Sequence, residues 1–383
     1  MTRHDWQDFQ EPLSQLQSQS RFRKLVPRTS DGVLIQQPDG RRLINFGSND
    51  YLGLAMENRG QQRSETCSGA GASALVCGWT RQHEQLAANL AAFEQTESAV
   101  LFPSGFAACS GTIATLCREG DLILSDRLNH ASLIDGCRLS RAECLVYPHR
   151  DVDFIATTLQ QKRSQYKRVW IVSEAVFSMD GHVAPLIDLV DVAERFEATM
   201  IVDEAHGTGV LGEHLSGACE EFDVKDRIAI RLGTLSKAIG SQGGFVVGPK
   251  IISDYLVNHC RPLIFSTALS PLAVDAAAHF FRIRDELKSR RSIVCQHSQR
   301  LRAALGRTSD PIETKVPIVP IVVGSDSDAM QLSDLLLQQG FYVPAIRPPT
   351  VPEGTSRLRV SLSAAHQSEM LDRLINVLKS RIS

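Results

Sequence analysis

The chain has 383 residues, 43% hydrophobic and 22% charged, an ordinary globular balance with room for two or three domains. A formal net charge of −2 supplies no field for nucleic acid or an anionic membrane surface, so neither partner is expected. Nine cysteines without one C-x-x-C pair argue against a zinc site of the usual spacing; they read as reduced thiols, many of them buried, and no metal is expected.

The opening stretch, MTRHDWQDFQEPLSQLQSQSRFRKLVPR, is glutamine-rich and has no apolar core segment. It reads as neither a secretory signal nor an anchor, and no stretch reaches the roughly 18 apolar residues of a spanning helix, so a cytoplasmic protein is expected. Further on, GAGASALVCG (69–78) contains Gly69-x-Gly71-x-x-Ala74, which looks like a dinucleotide fingerprint. That fingerprint needs a strand directly before it; QQRSETCS is no strand, and a loop of small residues is the better reading.

Seven short apolar runs then alternate with helix-length segments: SAVLF (98–102), DLILS (121–125), ECLVY (143–147), RVWIVS (168–173), ATMIVD (198–203), RIAIRL (227–232) and GFVVG (244–248). Runs apolar on both faces are strands of a sheet covered by helices, and the alternation predicts an α/β domain with a mostly parallel seven-stranded sheet. Beyond about residue 275, AVDAAAHFFRIRDELKSRRSIVCQHSQRLRAAL predicts one long amphipathic helix leaving that domain. VPIVPIVVG, AMQLSDLLLQQG, FYVPAIRPP and SRLRVSLSAA follow as a strand, a helix and further strands of a smaller α+β domain.

Polar residues gather at the predicted strand ends. LFPSGFAACSGTIATL (101–116) passes from strand to helix through Ser104, Gly105 and Phe106, where free N–H groups favour a phosphate; a plain strand-to-helix turn fits as well. VSEAVFSMDG (172–181) presents Glu174 and Ser178, and IVDEAHGTGVLG (201–212) presents Asp203 and His206, although an N-capping aspartate beside a satisfied histidine would look the same. GTLSKAIGSQGG (233–244) adds Thr234 and Lys237 after the next strand. Ligands bind at the carboxyl ends of parallel strands, and three neighbouring ends carrying an acid or a lysine make chance the weaker explanation. A lysine among small residues has its neutral amine favoured, which suits Schiff-base chemistry; a buried aspartate would hold a protonated pyridine nitrogen, and a helix start a phosphate. These are the requirements of pyridoxal 5′-phosphate (PLP).

With NFGSNDYLGLA, FPSGFAA, DRLNHASLIDG, SEAVFSMDG, VDEAHGTGVLGE, TLSKAIG, FSTALSP and RLRVSLSAAH in this order, the chain resembles the α-oxoamine synthases, PLP enzymes of fold type I, over nearly its whole length. The resemblance implies that Lys237 carries the cofactor as a Schiff base and acts as general base, that Asp203 pairs with the pyridine nitrogen, and that His206 and Ser178 bond the phenolic oxygen. It further implies that His130 stacks on the ring, that Gly105, Phe106 and Thr234 surround the phosphate, and that Ser266 and Thr267 reach it from the second subunit of a homodimer. Arg359 would clamp the amino-acid carboxylate, Asn49 belongs to the N-terminal active-site motif, and Arg23 and Thr350 match acyl-chain positions.

AIRPPTVPEGTSRLRVSLSAAH (345–366) resembles the biotin-pathway member of the family most, which implies L-alanine and a pimeloyl thioester, of coenzyme A or a carrier protein, as substrates. Siblings that make aminolevulinate, 2-amino-3-oxobutyrate or 3-ketosphinganine are the alternative. The expected units are an N-terminal segment 1–46 packing with the small domain, a cofactor-binding domain 47–275 and a small domain 276–383. Two departures concern the acyl-donor side: the stretch between Leu54 and Gly69 is shorter than is usual in the family, and Val76-Cys77-Gly78 replaces Val-Ser-Gly. A non-catalytic relative would be expected to lack Lys237 or Asp203, and both are present; a nucleotide-binding oxidoreductase lacks its strand before Gly69.

Overall fold

The computed structural model describes residues 6–57, 67–306 and 310–382. The shortened stretch before Gly69 therefore lies largely outside the described residues. Each of the seven apolar runs forms a strand: β1 (Ser98–Phe102), β2 (Asp121–Asp126), β3 (Glu143–Tyr147), β4 (Arg168–Glu174), β5 (Thr199–Asp203), β6 (Ile230–Thr234) and β7 (Gly244–Gly248). They make one sheet in the order β1-β7-β6-β5-β4-β2-β3. All neighbours are parallel except β7, which runs antiparallel to both β1 and β6. Every residue of β2, β6 and β7 is buried, which is why these strands read as unbroken runs rather than alternating ones. One apolar cluster on each face, around Leu124, Ile171 and Val202 on one and Ile123, Val172 and Ile201 on the other, glues the covering helices to the sheet.

Two predicted elements are corrected. The run RIAIRL does not begin a strand at Arg227: Lys225–Arg227 is a single tight turn, and β6 starts at Ile230 and reaches Thr234. Arg227 stays on the surface with Asp191 and Glu194, whereas Arg231 is buried in the strand because its guanidinium donates to Glu94 and to the backbone of Lys225 and Ile228. The predicted long helix is two, Pro271–Arg282 and Arg284–Ala304, broken at Ile283. Val274, Ala277 and Phe280 of the first helix and Leu287 of the second pack into the large sheet's cluster, and Leu301 farther along the second packs into the cluster of the C-terminal region.

That C-terminal region holds a three-stranded antiparallel sheet, Ile318–Gly324, Ser356–Ser361 and Ala345–Ile346 in that order. A second small sheet joins the N-terminal strands Thr29–Asp31, Leu34–Gln36 and Arg42–Asn45 to Phe341–Tyr342. Ile44 and Phe46 share a core with Val319, Phe341, Val360 and Leu374, Arg28 lies over the Tyr342 ring, and Arg21 pairs with Asp326 and Glu353. On these contacts we propose that the segment 1–46 packs on the unit 276–383; the boundary expected between 47–275 and 276–383 falls inside the helix Pro271–Arg282, whose Ala277 and Phe280 still pack into the large sheet's cluster.

Candidate functional site

Three adjacent strands end side by side. Glu174, last in β4, is in register with Asp203, last in β5, and Thr234 ends β6. All three are buried. Asp203 is held by the Ala205 N–H on Oδ1 at 2.9 Å and by the Cys109 thiol on Oδ2 at 3.5 Å. Thr234 Oγ1 donates to the Gly243 carbonyl at 3.0 Å and accepts the Ser236 N–H at 3.2 Å, which fixes the start of the loop that carries Lys237.

Lys237 Nζ lies 2.8 Å from Nε2 of buried His206, whose Nδ1 lies 2.7 Å from the Tyr51 hydroxyl. Tyr51 in turn reaches Asn49 Oδ1 at 3.2 Å. Arg359 closes the group from the small domain: its guanidinium donates to the Ser178 carbonyl at 2.6 Å, to Asn49 Oδ1 at 3.0 Å, to Ser361 Oγ at 2.7 Å and to the Tyr51 oxygen at 3.4 Å. Burial lowers the pKa of Lys237 against the pull of Asp203 and Glu174, and burial with the Lys237 and Arg359 charges drives His206 well down. Glu174 moves well up, first by burial and then by the Asp203 charge. A neutral imidazole and a lysine biased toward its free amine thus sit beside two carboxyl groups.

The phosphate-side residues form a second group. Ser104 caps the helix Gly105–Leu116 by accepting the Ala107 N–H, so the first-turn N–H groups of Gly105 and Phe106 have no partner within the helix. A Cβ on Gly105 would lie 3.1 Å from the Thr234 side chain, so glycine lets the helix start approach β6. His130 begins the helix Ala131–Leu139; its Nδ1 accepts the Ser132 N–H at 3.2 Å, and its ring meets Phe106 edge-on at 6.4 Å. Both rings are exposed at the rim.

The remaining sequence candidates lie elsewhere. Within one chain Thr267 is exposed, forms a backbone bridge with Ser73, and lines a small hollow with Ser266, Trp79 and Pro103 rather than joining the Lys237 group. Arg23 donates to the Pro348 carbonyl at 3.2 Å, and the Thr350 N–H to the Arg347 carbonyl at 3.1 Å, which puts both on the 347–350 turn and outside the hydrogen-bonded cluster. The Gly69–Gly71 loop leads into a one-turn helix, Ala74–Gly78, with no strand among the described residues from Cys67, and Cys77 is exposed. Tyr51 was not singled out by the sequence, although NFGSNDYLGLA contains it; the link it makes between His206 and Arg359 is visible only in the fold.

The residues present fit PLP. They offer an amine at Lys237, a carboxylate at Asp203 where a protonated ring nitrogen would need one, and a helix start at Gly105 for the phosphate. Glu174 Oε1 is buried without a partner, a polar atom that this cluster leaves for a ligand.

Comparison with known proteins agrees with the geometry. The model of the class I and II aminotransferases matches residues 41–378. The 8-amino-7-oxononanoate synthase of Lysinibacillus sphaericus is 41% identical over 377 residues, 97% of either chain. Serine palmitoyltransferase from S. paucimobilis, solved with a bound PLP–myriocin aldimine, superposes with a TM-score of 0.92 at 26% identity, covering 99% of this chain and 98% of that one. The 8-amino-7-oxononanoate synthase of Francisella tularensis superposes at 0.73 with 27% identity, over 89% and 98%. The chain belongs to the class I and II aminotransferase family, on its 8-amino-7-oxononanoate synthase branch.

Proposed function

We propose that the chain condenses L-alanine with a pimeloyl thioester, coenzyme A or carrier-protein bound, to give 8-amino-7-oxononanoate, CO2 and the free thiol, with PLP held at Lys237. The reading rests on the names and identities of the relatives and on one observation: a single buried hydrogen-bonded chain runs from the Lys237 amine through His206 and Tyr51 to the Arg359 guanidinium. It connects the group that would move a proton to the group that would hold a carboxylate.

When bound, PLP supplies an electron sink conjugated to the Cα of the amino acid. Lys237 removes the Cα proton as general base, and desolvation keeps its amine available for that step. If Nζ donates to His206 Nε2, the imidazole Nδ1–H donates to Tyr51 and the amine lone pair stays free. Asp203 would keep the ring nitrogen protonated, Arg359 would bind the alanine carboxylate, and Asn49 and Ser178 hold that arginine in place. His130 would stack on the ring, Gly105, Phe106 and Thr234 would surround the phosphate, and His206 and Ser178 would serve the phenolic oxygen. Arg23 and Thr350 receive the distal acyl carboxylate, and Ser266 and Thr267 complete the phosphate site of a neighbouring copy.

Release of thiol by the purified, PLP-loaded chain tests this. Pimeloyl-CoA with L-alanine is expected to react faster than acetyl-CoA or succinyl-CoA with glycine, or palmitoyl-CoA with serine. A faster reaction with any of those pairs would assign a sibling activity, that of an acetyltransferase, an aminolevulinate synthase or a palmitoyltransferase.

A further inference from the structure

Away from the cleft, the geometry points to a peroxide-oxidisable dithiol formed by Cys137 and Cys144, which closes to a disulfide and ties down the helix that begins at His130. Cys137 is buried near the end of the helix Ala131–Leu139. Cys144 is exposed on β3, the edge strand, whose one neighbour in the sheet is β2. In that pairing Cys144 is opposite Ile123, and parallel partners point their side chains to the same face. The Ile123 side chain belongs to the apolar cluster that also holds Cys137 and Cys117, so the register brings Cys144 to the edge of that cluster. Each thiol's proton affinity responds to the other, which agrees with the register in bringing the two sulfurs near one another at that edge.

The roles of the two sulfurs differ. Cys144 is accessible, and its pKa is lowered first by the hydrogen bond from Cys137 and then by the Arg138 charge, against its partial burial. Cys137 is raised, so it keeps its own proton while Cys144 gives its proton up to solvent. The Cys144 thiolate attacks a peroxide: an S–O bond forms, the O–O bond breaks, and hydroxide leaves and is protonated to water. The Cys137 sulfur then attacks the Cys144 sulfenic acid: an S–S bond forms, the S–O bond breaks, and the Cys137 proton leaves with the hydroxyl as a second water. Two thiols lose two electrons, and one peroxide gains them.

The helix concerned has little freedom to absorb such a tether. Gly136, beside Cys137, packs so closely that a Cβ there would lie 2.9 Å from Ile113 and 3.0 Å from Ser110 on the helix Gly105–Leu116. A bond at Cys137 therefore loads the helix that carries His130 and the helix that starts at Gly105.

The experiment treats the PLP-loaded protein with hydrogen peroxide, digests it with trypsin without reductant, and measures turnover before and after dithiothreitol. Expected are loss of two thiols per chain, peptides 128–138 and 142–150 linked through Cys137 and Cys144, and loss of turnover that dithiothreitol restores. Cys144→Ser is expected to retain turnover under the same peroxide, and Cys137→Ser to stop at a Cys144 sulfenic acid trapped by dimedone. Oxidation of Cys67 or Cys77 with Cys144 still reduced, a bond from Cys144 to Cys117, or equal peroxide inactivation of Cys144→Ser would each overturn the proposal.

Discussion

On the proposed reading Asp203 would act by charge. A carboxylate against a protonated ring nitrogen is worth on the order of 4 kcal/mol at an effective dielectric of about 20, roughly a thousandfold in rate if felt where charge develops. Asp203→Asn keeps an oxygen for the Ala205 N–H, so the turn should survive. Exchange of the alanine Cα proton with deuterated solvent, followed by NMR, is expected to slow by two to three orders of magnitude, about the range that charge implies; an unchanged rate would give the ring nitrogen another partner. His366 is a second residue whose protonation state matters. Its Nδ1 accepts the Ser363 N–H at 3.0 Å, its Nε2 donates to the Asn45 carbonyl at 3.0 Å, and its ring stacks on Phe46 at 4.2 Å. Burial lowers its pKa to about 4. Its neutral form is favoured in the fold, so its contribution is fully present above the ordinary histidine value near 6.5 and is lost as pH falls toward 4. The lowering corresponds to on the order of 3 kcal/mol. Unfolding free energy by urea at pH 7 and pH 4.5 should therefore fall more for the wild type than for His366→Gln; equal losses would remove His366 from the acid sensitivity. Lys237 and Asp203 could be singled out from the residues themselves because each stands at a predicted strand end among small or apolar residues, whereas Arg359 rests only on the resemblance. Tyr51 could not, since a tyrosine between apolar residues reads as core until its hydroxyl is seen beside His206.

Strands were the most readable elements. β1, β3 and β7 coincide with their predicted runs residue for residue; β7 is buried throughout, and β3, at the sheet edge, is largely exposed yet still reads as a short apolar run. The two misplaced elements fail for reasons that only tertiary contacts supply. Arg231 enters a strand because Glu94, far away in sequence, neutralises it. The helix break at Ile283 leaves no mark because apolar periodicity continues across it: Leu287 beyond the break still packs into the same cluster as Phe280. The helix start at Gly105 offers the sharpest test at this scale. Gly105→Ala puts a methyl 3.1 Å from Thr234, whose hydroxyl is already committed to Gly243 and Ser236. Overpacking of this kind costs about 1–3 kcal/mol, so the fold should persist while PLP binds about tenfold or more weakly, as read by fluorescence titration. Undiminished affinity would move the phosphate away from this turn.

At the scale of the molecule, one chain leaves an apolar surface. Leu75, Val76, Trp79, Phe265 and Leu272 are exposed, and Trp79 lines the hollow that also takes Ser266 and Thr267. Such a patch is suited to a partner, and on the proposed reading that partner would be a second copy. Sedimentation at working concentration should give a dimer, and mixing Lys237→Ala chains with Thr267→Ala chains should restore part of the activity that each lacks; a monomer, or no restoration after subunit exchange, would confine each site to one chain. The small domain's role in the site was readable only through resemblance, because nothing local in SRLRVSLSAA shows that Arg359 crosses to Ser178 and Tyr51.

The central claim is that Lys237 is the amine that holds the cofactor and moves the proton. Borohydride reduction of the PLP-loaded protein fixes the Schiff base, and tryptic mapping then locates it. A modified Lys237 resists cleavage, so the expected product is a single phosphopyridoxyl peptide spanning Leu232 to Lys250, with loss of activity in proportion to label. Label on any other lysine, or full activity with Lys237 reduced, would contradict the account.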